Sequence, residues 1–158
     1  MQISSERLTL ERITPQLAAR ILVRDERPGD GWHPEYPFAD ELGPLKRLAA
    51  EPASESPFTM YVVRENQSGL AIGGFGFFGP PDDEGRIGFG YGLIGAARGR
   101  GYATEGVIAA LDFARANGAL HARADTASDN LASQRVLEKA GLVLVRRSES
   151  DHFYERAL

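Results

Sequence analysis

The chain has 158 residues, no cysteine, a formal net charge of −4 and 42% hydrophobic residues. The length predicts a single domain over residues 1–158, and the composition excludes a wholly disordered chain. The missing cysteines exclude disulfides, thiolate nucleophiles and cysteine-ligated metal sites, and the acidic balance disfavours a dedicated nucleic-acid binder.

The first part of the chain predicts two helices and four strands. Residues 8–13 alternate with the period of a strand that buries one face, and Thr14 with Pro15 is typical of a helix start. Asp40 is a second candidate helix cap. The predicted strands are 8–13, 58–63, 70–78 and 86–94, and the predicted helices are 16–24 and 40–50, with an irregular loop over 25–39.

The second part of the chain predicts two further helices and three short strands. Residues 102–116 carry an apolar stripe at helical spacing, and Asp129 or Asn130 caps a helix that ends at Lys139. The predicted strands are 121–126, 142–145 and 153–157. The fold class is therefore α/β, a mixed sheet with helices in one domain.

Thirteen of the 18 glycines lie between Gly69 and Gly106. Two stretches, 74–79 and 90–95, match the literal GxGxxG dinucleotide fingerprint, but neither opens a helix as that fingerprint requires. Arg98-Gly-Arg-Gly-Tyr-Ala-Thr104 instead lies between a predicted strand and a predicted helix. Its backbone N–H groups and the helix dipole favour binding of a phosphate group.

This loop and a second block resemble one family. Arg98-Gly-Arg-Gly-Tyr-Ala103 resembles the acetyl-CoA signature of GNAT-superfamily N-acetyltransferases, Arg/Gln-x-x-Gly-x-Gly/Ala, and Tyr102-Ala-Thr-Glu-Gly106 is similar to the branch of the ribosomal-protein N-terminal acetyltransferases. Asp129-Asn-Leu-Ala-Ser-Gln-Arg-Val-Leu-Glu-Lys-Ala-Gly-Leu142 resembles the other hallmark of that branch. With Arg7-Leu-Thr-Leu10, the resemblance extends over nearly the whole chain.

The resemblance implies a mostly antiparallel central sheet, flanked by helices and splayed between the fourth and fifth strands, which are the predicted strands 86–94 and 121–126. The pantetheine arm would lie in the gap. Asn130 matches a position that contacts this arm and Ser133 a serine near the thioester sulfur, although by residue type alone Asn130 is more often a cap and Ser133 a solvent-facing residue. The implied acetyl-CoA-binding residues are Tyr91, Gly92, Leu93, Arg98, Gly99, Arg100, Gly101, Tyr102, Ala103, Thr104, Asn130 and Ser133.

The implied reaction is the direct attack of a primary amine on the thioester, with acetyl-CoA as co-substrate and no metal. The acceptor would be a protein N-terminus, an amino acid or a small amine, and it must lose a proton before it attacks. A backbone N–H near residues 91–93 is the natural donor to the developing oxyanion.

Two positions depart from the family pattern. Gly88 stands where many relatives carry a glutamate, and Leu137 stands where many carry a tyrosine acid. The first departure leaves no obvious base. The candidate catalytic residues are therefore Ser133 and, from the terminal hairpin, Glu149 and Tyr154, with Asp151 and His152 near them.

The loop over residues 27–40 is the expected source of acceptor selectivity because its aromatic side chains can shape a pocket. The candidate substrate-binding residues are Trp32, His33 and Tyr36, with Phe38 and Asp40 in the same loop. Each of these residues is equally a packing or surface residue.

Two alternatives to an enzyme stay open at this point. Gly88 favours a non-catalytic acyl-CoA-binding or regulatory module on the same fold, and the GxGxxG matches favour a nucleotide-binding protein. Because no export signal or membrane span is visible, we expect a cytoplasmic monomer or homodimer with no membrane or nucleic-acid partner.

Overall fold

A computed structural model describes residues 2–158. Eight strands form one sheet in the order β1-β2-β3-β4-β5-β6-β8-β7. Every neighbouring pair is antiparallel except β5 and β6, which are parallel. The strands are β1 Gln2–Ser4, β2 Leu8–Arg12, β3 Met60–Glu65, β4 Ala71–Phe77, β5 Arg86–Leu93, β6 His121–Ala127, β7 Val143–Arg147 and β8 Asp151–Ala157.

Four α-helices flank this sheet, and the starts of two of them follow capping rules that are visible in the sequence. The Thr14 side chain accepts a hydrogen bond from the amide of Leu17, and the Asn130 side chain accepts one from the amide of Ser133. The helices are α1 Pro15–Leu22, α2 Leu42–Ala50, α3 Tyr102–Ala116 and α4 Leu131–Lys139, with 3₁₀ turns at Ala39–Glu41 and Gly95–Ala97. Among residues 2–158, no helix is long and apolar enough to cross a membrane.

The predicted elements agree with these bounds to within a few residues. The helix over 102–116 is confirmed at both ends, because an apolar stripe runs through it and Asn117-Gly118 ends it. The predicted helix over 40–50 divides into a 3₁₀ turn and α2. Strand β1 was not predicted, since a three-residue strand has no readable period and forms through pairing with β2.

The expected splay of the sheet is confirmed. Strand β5 pairs with β6 only through residues 86–88, and beyond that point it pairs with β4 alone. The gap lies between the fifth and sixth strands of the structure, because β1 adds one strand to the predicted count. One edge of β5 is therefore open from Phe89 onward.

The two faces of β4 and β5 differ sharply. On one face, the rings of Phe75, Phe77 and Phe89 pack with each other and with Phe113 of α3. Side chains of successive strand residues alternate between the two faces of a sheet. On the other face of β4 and β5, every position away from the strand ends is a glycine. These glycines are Gly74, Gly76, Gly88, Gly90 and Gly92, and the ladder places Gly74 opposite Gly92 and Gly76 opposite Gly90.

Candidate functional site

The loop before α3 is an uncapped helix N-terminus. Gly99 and Gly101 have φ of 78° and 79°, in the left-handed region that favours glycine. Gly101 is the N-cap and offers no side chain to the helix, and the first intrahelical bond is from the amide of Glu105 to the carbonyl of Gly101 at 3.1 Å. Within residues 2–158, the amides of Tyr102, Ala103 and Thr104 meet no protein acceptor, so they are free to bind an anion.

Arg7 fixes this loop to the rest of the domain. Its guanidinium donates to the carbonyl of Arg100 at 2.9 Å and to the carboxylate of Glu105 at 2.7 Å, and it lies over the Tyr102 ring. The Tyr102 hydroxyl donates to Glu65 at 2.6 Å, and this hydrogen bond lowers the pKa of Glu65. The sequence includes Arg7 in the family resemblance, but its contacts to the loop before α3 are visible only in the structure.

Arg98 connects the same loop to the end of β5. Its Nε donates to the carbonyl of Leu93 at 3.1 Å, and its guanidinium lies 5.3 Å from the centre of the Phe38 ring. Arg98 thus contacts both the open edge of β5 and the loop that leads to α2.

The open edge of β5 presents backbone groups to the gap. The carbonyl of Gly88 accepts from Phe78 and the amide of Ile94 donates to Ile72, both at 2.9 Å and both on the β4 side. Because backbone groups of successive strand residues point to alternate sides, Phe89, Tyr91 and Leu93 direct their N–H and C=O groups toward β6. A ligand in the gap can therefore form hydrogen bonds to this edge as an added strand does.

Tyr91, Asn130 and Ser133 meet across the gap. The Tyr91 hydroxyl lies 2.8 Å from Ser133 Oγ, and Asn130 Oδ1 accepts from the Ser133 amide at 3.1 Å. Burial raises the pKa of Tyr91, which keeps its phenol protonated at neutral pH. The capping role of Asn130 is confirmed, and the binding roles of these three residues stay predictions.

The two terminal-hairpin candidates lie apart from this group. Glu149 is exposed between β7 and β8, and its carbonyl accepts from Ser128 Oγ at 3.4 Å. Tyr154 is buried in β8, where desolvation and the nearby charge of Glu138 raise its pKa. In the described part of the chain, no hydrogen bond or ion pair joins either residue to Ser133, so their catalytic roles stay predictions.

A cavity of about 700 Å³ lies on the glycine face of β4 and β5, under the segment that leads into α2. Its floor is the backbone of the glycine-bearing strands, and most of its wall is aromatic or aliphatic. We call it the acceptor pocket; the residues that line it include Phe38, Asp40, Glu41, Arg47, Leu48, Glu51, Phe58, Met60 and Phe78, with Phe77 and Tyr91 in the strands that form its floor.

The glycines make room for the residues that cover them. A side chain at Gly74 would overlap Glu41 Oε1, and a side chain at Gly92 would overlap the Phe38 ring. A Cβ at Gly88 would lie 3.1 Å from the ring of Phe78. The side-chain space at the position of the missing glutamate is thus occupied by an aromatic ring.

Glu41 is the residue that sequence reasoning missed. Its side chain reaches the pocket floor at Gly74, and the residue is only 8% exposed. Oε2 accepts from the Phe38 amide at 3.2 Å, whereas Oε1 has no partner among residues 2–158. Burial raises the pKa of Glu41 to about 8, although the hydrogen bond from Phe38 opposes the shift.

The three substrate-binding candidates do not line this pocket. Trp32 and Tyr36 are buried, with ring centres 6.4 Å apart, and His33 Nδ1 accepts from the amide of Glu35. Their substrate roles stay predictions, while the predicted loop reaches the pocket through Phe38 and Asp40. The sequence signals for the pocket are the aromatic loop over residues 27–40, which contributes Phe38, and the alternating glycines of β4 and β5.

Comparison with known proteins agrees with this architecture. The model of the acetyltransferase (GNAT) domain family matches residues 7–143. An uncharacterized N-acetyltransferase of Bacillus subtilis, YjdG, is 26% identical over 120 residues, which are 75% of this chain and 71% of that protein.

Two solved structures share the fold at low sequence identity. RimL, a ribosomal L7/L12 alpha-N-protein acetyltransferase solved with coenzyme A, has a TM-score of 0.73 at 15% identity and covers 100% of this chain and 98% of its own. The ribosomal-protein-S5-alanine acetyltransferase of Vibrio fischeri has a TM-score of 0.70 at 17% identity, with coverage of 99% and 96%. Because the family model spans most of the chain, the protein belongs to the GNAT acetyltransferase family and is an acetyl-CoA-dependent acetyltransferase.

Proposed function

We propose that the protein transfers the acetyl group of acetyl-CoA to a primary amine by direct attack of the amine on the thioester. The observation that carries this proposal is the uncapped start of α3, with the three free amides of Tyr102, Ala103 and Thr104, close in sequence to the open edge of β5. The two features together suit a ligand that has both a pyrophosphate and an amide-bearing arm.

The residues present fit coenzyme A. The glycines supply the positive φ values that the loop requires, and nothing lies within 4 Å of the Cβ position at Gly99, which leaves room for a phosphate. Each charge–dipole contact contributes about 0.3–1 kcal/mol, so several converging donors are needed. Arg98 and Arg100 add positive charge beside them.

When bound, acetyl-CoA supplies an activated acetyl group as its thioester. The inward-facing amides of Tyr91 and Leu93 are positioned to donate to an oxygen that gains negative charge in the gap. The Ser133 hydroxyl, held by Tyr91 at 2.8 Å, is the nearest candidate to protonate a departing thiolate. Glu149 and Tyr154 stay candidates for proton transfer, and Trp32, His33 and Tyr36 for acceptor binding.

The acceptor enters, in this proposal, from the acceptor pocket on the glycine face. The likeness to acetyltransferases of ribosomal-protein N-termini supports an amine acceptor, and a protein N-terminus, an amino acid or a small amine each satisfies it. We also propose that the protein is cytoplasmic and that the reaction requires no metal.

The test is to follow free thiol while the purified chain is incubated with acetyl-CoA and a panel of primary amines, with CoA binding measured separately by calorimetry. Thiol release that depends on the amine supports the proposal. Tight CoA binding without turnover on any amine would instead favour the non-catalytic module suggested by Gly88. Binding of NAD but not CoA would favour the nucleotide-binding alternative.

A further inference from the structure

A buried carboxyl group with a free oxygen is unusual in a pocket with an apolar wall. Glu41 is more than nine-tenths buried, and its Oε1 has no partner in the described part of the chain. A buried polar group without a hydrogen bond costs about 1–3 kcal/mol, and more when it is charged. The group therefore needs either a proton or a cation from the pocket.

The strands below this carboxyl group are built to accept it. A Cβ added at Gly74 would overlap Glu41 Oε1. A Cβ added at Gly76, the next glycine on the same face, would make only an ordinary contact to Met60 at 3.5 Å. Gly74 also pairs with Gly92, which is next to the backbone donors Tyr91 and Leu93. The carboxyl group thus lies over the β4–β5 ladder, across the sheet from the aromatic face.

We propose that Glu41 binds the ammonium group of the acceptor and takes its proton, and that the acceptor is a primary amine carried on an apolar body. This inference rests on the proposed function, whose open question is the missing base at Gly88. The carboxylate accepts one proton from R–NH₃⁺, which becomes R–NH₂ with a free electron pair on nitrogen. As the C–N bond forms and the C–S bond breaks, the second proton of the nitrogen passes to the departing thiolate, directly or through the Ser133 hydroxyl, and Glu41 returns its proton to solvent.

The pocket wall determines the kind of amine. Phe38, Phe58, Phe78 and Met60 line the space with apolar surface, which favours an aromatic or aliphatic body. A free arylalkylamine and the first residue of a peptide that begins with phenylalanine share this chemistry. Both are included in the test, which distinguishes them.

Other charged groups near Glu41 are few. Asp40 is the neighbouring residue and its charge also raises the pKa of Glu41. Burial, and to a smaller extent the charge of Glu41, raise the pKa of the Tyr36 phenol. Arg47 and Glu51 of α2 line the same pocket. Strands β4 and β5 present glycines on this face, so they contribute no titrating side chain near Gly74.

The amine therefore displaces a proton when it binds below pH 8. Below pH 8 the Glu41 carboxyl group of the amine-free enzyme is protonated, whereas the complex requires the carboxylate. The affinity for the ammonium form should therefore rise about tenfold per pH unit and level off above pH 8. One proton should be released for each amine bound, which calorimetry in two buffers of different ionisation enthalpy measures.

The experiment compares the wild-type chain with Glu41→Gln, which keeps an oxygen to accept from the Phe38 amide. The matched control is Glu55→Gln, since Glu55 is exposed and outside the pocket. The probes are 2-phenylethylamine, a phenylalanine-initiated peptide and, as a polar control, ethanolamine. Binding is measured without acetyl-CoA, so it does not depend on turnover.

We expect Glu41→Gln to weaken binding of the apolar amine by at least tenfold, to abolish proton release and to lower kcat/KM by about 100-fold, a typical value for loss of a general base. CoA affinity should stay within twofold in both variants. An unchanged unfolding temperature shows that Glu41→Gln has folded.

Three results would overturn the inference: unchanged amine binding in Glu41→Gln, no proton release in the wild type, or preference for ethanolamine. None of them affects the proposed acetyl transfer, which fails on its own if the wild type binds amine but releases no thiol. Binding of the peptide but not of the free amine, or the reverse, identifies which of the two forms the pocket accepts.

Discussion

The predicted CoA loop, residues 98–104, and the acceptor pocket both adjoin β5, and they are built in different ways. The loop over residues 98–104 offers backbone amides that one short segment supplies, so its glycines are visible as a motif. The pocket joins residues from the segment before α2, from α2 and from β3 to β5. A backbone site leaves a local sequence pattern, whereas a side-chain site assembled from distant segments leaves little.

The largest expected effect is on CoA affinity, which tests the loop in this comparison. In Gly101→Val a β-branched residue must adopt φ of 79°, and its Cβ comes within 3.4 Å of Arg7. We expect CoA affinity to fall at least 100-fold by calorimetry. Gly118→Val is the matched control, because Gly118 has φ of 97° at the far end of α3 and nothing nearby. Equal CoA affinity in both variants would contradict the placement of the pyrophosphate.

The second largest expected effect is on kcat/KM for the amine, with CoA affinity unchanged. Gly74→Ala forces Glu41 away from the pocket floor, whereas Gly76→Ala adds only an ordinary contact. We expect kcat/KM for the amine to fall about 30-fold in Gly74→Ala, in line with loss of a positioned base, and to stay within threefold in Gly76→Ala. CoA affinity should be unchanged in both. A similar loss in the two variants would mean that strand distortion, and not Glu41, is responsible.

A smaller effect tests how far charge contributes beside the backbone amides. Replacing both Arg98 and Arg100 with alanine removes two positive charges from the loop, and we expect about tenfold weaker CoA binding with a reduced salt dependence. The control pair, Arg115→Ala with Arg146→Ala, removes the same charge from the end of α3 and from the edge strand β7. An unchanged salt dependence in the loop variant would assign the phosphate contacts to the amides alone.

The smallest expected effects concern Ser133 and Tyr91, which meet across the gap between β5 and β6. Ser133→Ala removes the hydroxyl next to the predicted thioester position, and we expect kcat to fall about tenfold while the KM for acetyl-CoA stays within threefold. Tyr91→Phe removes only the hydroxyl, which lies 2.8 Å from Ser133 Oγ and 3.3 Å from the Ser133 carbonyl, and we expect a loss of about threefold, as for one neutral hydrogen bond. A larger loss in Tyr91→Phe than in Ser133→Ala would make the tyrosine the proton donor.

Local pattern accounts for what was predicted correctly. The caps Thr14 and Asn130 and the stop at Gly118 act on their own chain neighbours, so helix positions could be predicted from the sequence. The splay between β5 and β6 came through the family resemblance, and the structure confirms it.

Long-range contact accounts for what was not predicted. Asp40-Glu41 is an ordinary acidic pair near a helix start, and nothing in its neighbours indicates that one carboxylate points to solvent and the other to a glycine 33 positions later in the chain. Trp32 and Tyr36 were selected because aromatics can shape a pocket, yet their burial depends on how the loop folds over β4.

The sequence by itself determined the α/β order of elements and the family, and it predicts a phosphate-binding role for the loop over residues 98–104, because each of these depends on residues close together in the chain. Only the tertiary structure decided that the alternating glycines of β4 and β5 form a pocket floor and that Glu41 lies on it. Side-chain alternation is a property of one strand, but what covers a face depends on the segments that pack against it.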